Sequence, residues 1–168
     1  GYGGVNAAVS EAGDYLLVWS HKENSYDIFG QMLDQSGVLT GALISMTDAV
    51  SDKQYEPDVA YDKQAGAFLV VWADHRSDSE YDLYGQRLDD DGSLLGNNLL
   101  LVDSSGQDIR SPAIAANDNG QFLASWYQKM SSSDYDILGA RITAASGAVE
   151  GSLINIDTSS SKDKYPAV

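Results

Sequence analysis

Three Tyr-Asp pairs, Tyr26-Asp27, Tyr81-Asp82 and Tyr135-Asp136, offer this 168-residue chain its clearest means of holding a ligand. A phenol ring stacks on the face of a sugar, and a carboxylate beside it takes the sugar's hydroxyls. The same pair also has an architectural use: Asp accepts backbone N–H bonds where a loop meets a strand, and Tyr packs against a neighbouring unit. A second cluster, Asp78, Glu80 and Asp82, stands at i, i+2 and i+4. A strand turns such positions to one side, and three carboxylates on one side suit Ca²⁺, which takes several oxygen ligands. Only partial counterparts exist elsewhere (Asp134 with Asp136, Glu23 with Asp27), so a solvated acidic loop is the competing reading. Asp89-Asp90-Asp91-Gly92 also resembles a calcium loop. Its counterparts, Asp34-Gln35-Ser36-Gly37 and Ala144-Ala145-Ser146-Gly147, point instead to a hairpin turn. The two histidines, His21 and His75, share no Ser-His-Asp spacing and read as loop residues. Arg87 and Arg141 have Met32 as their counterpart, which suits a long side chain lying over the flat of a sheet.

Composition narrows the chemistry. There are 25 acidic against 10 basic residues, a net charge of -15. That balance argues against binding a phosphate backbone, which needs clustered Lys and Arg, and permits cation binding. The chain has no cysteine, which excludes disulfides, thiol catalysis and Cys-ligated zinc. No apolar run approaches the ~20 residues of a membrane-spanning helix. The Tyr, Ser, Asp and Gly content suits a secreted, extracellular or cell-surface β-protein. A start of GYGG, without an initiator Met or signal-like stretch, reads as a mature product or an excised piece.

The elements that must position these residues come from an internal repeat. The tryptophans Trp19, Trp72 and Trp126 are 53 and 54 residues apart. The prolines Pro57, Pro112 and Pro166 keep the same period. Each unit opens with a small-residue run (VNAAV, PDVAY, PAIAA), where Pro is tolerated as the first residue of a strand. A Gly-bearing turn leads to a strong apolar strand, YLLVW, FLVVW or FLASW. The third strand alternates, as YDIFGQML, YDLYGQRL and YDILGARI. After a second Gly turn, ALISM, NLLLV and SLINI close the units. This predicts one all-β domain over 1–168, with repeats at 5–56, 57–111 and 112–165 and a fourth beginning at 166–168.

Four antiparallel strands per unit, in tandem, is the pattern of a β-propeller blade. A β-trefoil, threefold and self-closing, is the alternative. In a propeller the Tyr-Asp pairs would ring one face, and all three tryptophans would be buried at equivalent positions. Three blades fall short of the about four to eight that close a ring. Either further repeats of a parent protein or a second copy would complete it.

The string LVVWADHRSDSEYDLYGQRLDDDGSLLG resembles a repeat of large bacterial secreted and surface proteins. The likeness covers essentially the whole chain and is best in the second unit. The third departs at Ala140, in the Gln position, and the first at Met32, in the Arg position. It implies an extracellular propeller-like array and brings no catalytic residues with it. A catalytic carboxylate is usually unique, whereas the prominent carboxylates here recur. The sequence therefore favours a non-enzymatic scaffold or binding module for adhesion, assembly or glycan contact. The alternative is a fragment or accessory domain of a secreted polysaccharide-degrading enzyme.

Overall fold

A computed structural model describes residues 4–22, 25–47, 53–76, 80–159, 164 and 166–167. It contains three four-stranded antiparallel sheets, each an unbroken meander. The first comprises β1 (Asn6–Val9), β2 (Tyr15–Lys22), β3 (Tyr26–Leu33) and β4 (Leu39–Ser45). The second comprises β5 (Gln54–Asp62), β6 (Ala67–Asp74), β7 (Asp82–Asp89) and β8 (Leu94–Val102). The third comprises β9 (Ile109–Ala116), β10 (Gln121–Lys129), β11 (Tyr135–Thr143) and β12 (Val149–Asp157). The sheets stack face to face, with β5 lying between β1 and β9, while β4, β8 and β12 form the rim. These are propeller blades around an incomplete axis, and the trefoil alternative is set aside. No helix of the described residues is long and apolar enough to cross a membrane.

Alternation within each strand sends every second side chain to the opposite face. On β2, Leu16 and Val18 face the second blade and are fully buried, joining Val59, Phe68, Val70 and Trp72 in one core. The other face of the second blade, with Leu69, Val71 and Leu83, packs against Phe122, Ala124 and Trp126 of the third. The middle blade is thus covered on both sides. The tryptophans do occupy equivalent places, but they are not equally buried. Trp72 and Trp126 are 0% exposed, whereas Trp19 is half-buried, because none of the described blades covers its face.

The inner strands depart from expectation at their prolines. β5 and β9 begin three residues before Pro57 and Pro112. Each proline sits at a register shift, so it marks a bulge instead of a strand start. The preceding residues take positive φ, Glu56 at 57° and Ser111 at 46°. At Pro57 the bulge carries the Glu56 side chain to the third blade, where it accepts the Ser111 N–H.

The repeated Gln has a structural use. Gln31 Nε2 donates to Thr40 O at 2.8 Å, and Gln86 Nε2 donates to Gly96 O at 3.3 Å, bridging the irregular pairing of the rim strand. Ala140 cannot do this in the third blade.

Candidate functional site

Two of the Tyr-Asp pairs, Tyr26-Asp27 and Tyr81-Asp82, lie along the seams between described blades. The Tyr26 ring packs on Tyr55 with centroids 4.7 Å apart, and Tyr55 in turn meets Tyr81 at 5.9 Å. Arg110 places its guanidinium 3.6 Å from the Tyr81 centroid, and Lys164 its ammonium 4.1 Å from that of Tyr135. Tyr55, Arg110 and Lys164 each stand two residues before a repeat proline, so one contact recurs from blade to blade. The partner is aromatic once and cationic twice, both suited to a π face. Asp82 is buried and its Oδ1 accepts the Ser104 N–H at 2.9 Å. Asp27 Oδ1 accepts from the hydroxyls of Ser25 and Thr47, both at 3.4 Å. Asp136, half-buried, holds the same place in the third blade.

Of the suggested calcium cluster, Asp78 lies outside the described residues. Glu80 is half-buried, and Asp82 is committed to the Ser104 backbone. Among the described residues no three His, Asp or Glu side chains converge to hold a metal ion. The Asp89–Gly92 and Asp34–Gly37 segments are hairpin turns closed by Gly N–H bonds to the leading Asp carbonyl.

The histidines are also placed. His21 meets Phe29 edge-on at 6.1 Å, and His75 packs on Tyr81 at 4.8 Å. His21 is two residues beyond its Trp, and the residue at that offset elsewhere serves the indole N–H. Trp72 Nε1 donates to Asp74 Oδ2 at 2.7 Å, and Trp126 Nε1 to Gln128 Oε1 at 3.3 Å.

A further candidate, which the sequence reading did not single out, lies on the inner strand of the middle blade. Glu56, Asp58 and Asp62 all belong to β5, and all three reach across to the third blade. Glu56 Oε2 accepts the Ser111 N–H at 2.7 Å, and Asp58 Oδ2 accepts the Ile114 N–H at 2.8 Å. Asp62 is fully buried and clamps the first turn of the third blade, accepting from Gly120 N–H at 3.1 and 3.2 Å. Glu56 and Asp58 are instead half-buried. Burial raises the Asp58 carboxyl above its ordinary pKa of 3.8, against the pull of N–H bonds from Ile114 and Val59.

These acids do not recur. The counterparts of Glu56 are Gly4 and Ser111, those of Asp58 are Asn6 and Ala113, and those of Asp62 are Ser10 and Asn117. Among the described inner strands, only that of the middle blade carries carboxylates. A pair of carboxyls is what acid–base chemistry on a glycosidic bond uses. The recurring loop acids concealed this asymmetry. It was readable by aligning the opening strands, where the three units differ most in charge.

No family model matches the chain, and no curated protein matches it. Solved structures share its fold. An endo-arabinase from Bacteroides thetaiotaomicron superposes with a TM-score of 0.63 at 18% identity, over 92% of this chain and 62% of that one. A thermostable family-43 glycoside hydrolase gives 0.66 at 14% identity, over 97% and 59%. An arabinanase from Bacillus subtilis gives 0.57 at 17% identity, over 93% and 60%. These neighbours are five-bladed β-propellers. The chain therefore spans about three fifths of their length, the share that three blades of five occupy. The expectation of a non-enzymatic scaffold is corrected by this likeness, because the structures that share the blade arrangement are polysaccharide-degrading enzymes. Its premise, that the carboxylates recur, also fails at the inner strand.

Proposed function

We propose that this chain is a three-blade portion of a secreted polysaccharide-degrading propeller, and that glycan is met at the inner edge of the middle blade. The observation that carries the reading is the asymmetry of β5, where Glu56 and Asp58 face a neighbouring blade and their counterparts are uncharged. Asp58, with its pKa raised by burial, is suited to give a proton to the glycosidic oxygen. Glu56 supplies the second carboxylate, which can steady positive charge on the sugar ring or activate water. Both residues flank Pro57, at the β5 register shift. The fold likeness to arabinanases suggests arabinan as the first substrate class to examine.

Titration calorimetry with arabino-oligosaccharides tests the binding half of this reading. The chain should bind them, and Glu56→Gln should weaken binding about tenfold, as expected for a lost charge-assisted hydrogen bond, and Asp58→Asn a few-fold, as expected for a lost neutral one. Variants that bind as tightly as the parent, or a folded chain that binds no glycan, would overturn it.

A further inference from the structure

We propose that Asn119-Gly120 is a latent succinimide site, and that the buried carboxylate of Asp62 holds it closed from across the seam between the second and third blades. This inference is independent of the glycan reading.

The Asn-Gly step occurs once in the chain. It lies in the turn between β9 and β10, where Asn119 is exposed and Gly120 takes a positive φ of 81°. The same turn carries Ala12-Gly13 in the first blade and Ala65-Gly66 in the second. Glycine meets the backbone demand in all three units. A side-chain amide ahead of it stands in the third alone, and it brings a reaction with it. The Gly120 nitrogen loses its proton and attacks Asn119 Cγ. The N–Cγ bond forms, the Cγ–Nδ2 bond breaks, and ammonia leaves with the proton. Water then opens the ring. Opening at Cγ leaves aspartate; opening at the Asn119 backbone carbonyl leaves isoaspartate, with an extra methylene in the main chain. Glycine favours the attack because it has no Cβ to crowd the nitrogen.

Hydrogen bonds oppose this reaction in the folded chain. The Gly120 N–H donates to Asp62 Oδ2 at 3.1 Å and Oδ1 at 3.2 Å. To attack, the nitrogen must become anionic, and beside a fully buried carboxylate that second negative charge is repelled. The carboxylate is too weak a base to take an amide proton itself. Gly120 O accepts the Ala144 N–H at 2.9 Å, and the Asn119 N–H donates to Asn117 Oδ1 at 2.9 Å. The peptide that would have to rotate toward Cγ is therefore held on both sides. Asp62 is fixed in its turn by the Ala65 N–H at 2.8 Å.

The pairing is specific to this seam. The counterparts of Asp62 are Ser10 and Asn117, so the carboxylate and the amide, each found in one unit only, meet each other. What the contact protects is the seam itself. Isoaspartate would carry the Gly120 N–H away from Asp62 and set a new carboxylate beside Asp118.

Peptide mapping during incubation at mildly alkaline pH tests the proposal, with an isoaspartyl methyltransferase as the probe for isoaspartate. The folded parent should convert Asn119 at least about tenfold more slowly than the chain unfolded in urea, because attack waits on local opening of the turn. Asp62→Ser and Asp62→Asn, the side chains that the other units carry at this position, should each speed conversion at least about tenfold. Trp72→Ala, which loosens the other seam, should keep the parent's rate. Circular dichroism verifies that each variant is folded. Amide exchange on the parent reads the same contact without a substitution, and the Gly120 N–H should be protected. A parent that converts as fast folded as unfolded, folded Asp62 variants no faster than the parent, Trp72→Ala as fast as the Asp62 variants, or an unprotected Gly120 N–H would each overturn it.

Discussion

The first and second blades carry the same motif and live in different surroundings. Trp72 and Trp19 end the same strand, yet one is fully buried and the other half-exposed. The difference is the neighbour, not the residue. In a stacked-repeat protein the energy of a side chain resides largely in the interface to the next unit. The middle blade has two such interfaces and, at its inner strand, a set of acids that neither neighbour possesses. It is at once the best-buried and the least repeat-like of the three.

That contrast is sharpest at the tryptophans. Trp72→Ala should cost about 3–5 kcal/mol in chemical denaturation, the range for a large aromatic removed from a packed core. Trp19→Ala should cost about 1 kcal/mol, since much of that ring already meets solvent. Equal costs would remove the distinction between an end blade and a covered one.

The second-blade network provides the next test. Asp74 is fully buried and holds Arg76 through Oδ2 at 2.6 Å and the Trp72 indole at 2.7 Å. Arg76 also reaches Asn98 at 3.0 Å, and Asn98 bonds Gln86 and the Met46 carbonyl. Arg76→Ala should therefore cost about 2–3 kcal/mol, because it leaves a buried carboxylate short of its charge partner. Lys22→Ala, in the first blade, should stay within about 0.5 kcal/mol, as surface substitutions do. Thermal melts of the two variants decide the point.

The smallest effect concerns pH. A carboxyl raised in the folded state binds its proton more readily there than in the unfolded chain. Its contribution to stability is therefore full below pH 3.8 and falls as pH rises through the folded pKa. Asp58→Asn keeps an acceptor for Ile114 and removes this loss, so its stability relative to the parent should grow across that window. A constant difference between the two proteins from pH 3 to pH 7 would show that Asp58 is not desolvated.

Architecture was legible in the sequence because repeats at a fixed period leave few solutions. The strand count, the meander and the two kinds of Gly turn all follow from local chemistry that recurs. The inner strands were legible only in part. Pro57 and Pro112 read as strand starts, because the bulge depends on how the preceding residues pair with β6 and β10. The candidate site was the least legible. Repetition drew attention to Tyr26, Tyr81 and Tyr135, whose rings meet Tyr55, Arg110 and Lys164. Glu56 and Asp58 stood out only against their uncharged counterparts, and their direction across the seam follows from positive φ and a register shift that no composition signals.

Release of reducing sugar from arabinan most directly tests whether the inner strand of the middle blade is the reactive site. It should be measured for the parent chain, Asp58→Asn, Glu56→Gln and, as a control, Glu150→Gln on the rim strand. The account predicts release by the parent and by the rim control, and a loss of at least about a hundredfold in both inner-strand variants, the scale of a missing acid–base group. Release that is unchanged in Asp58→Asn and Glu56→Gln would contradict it.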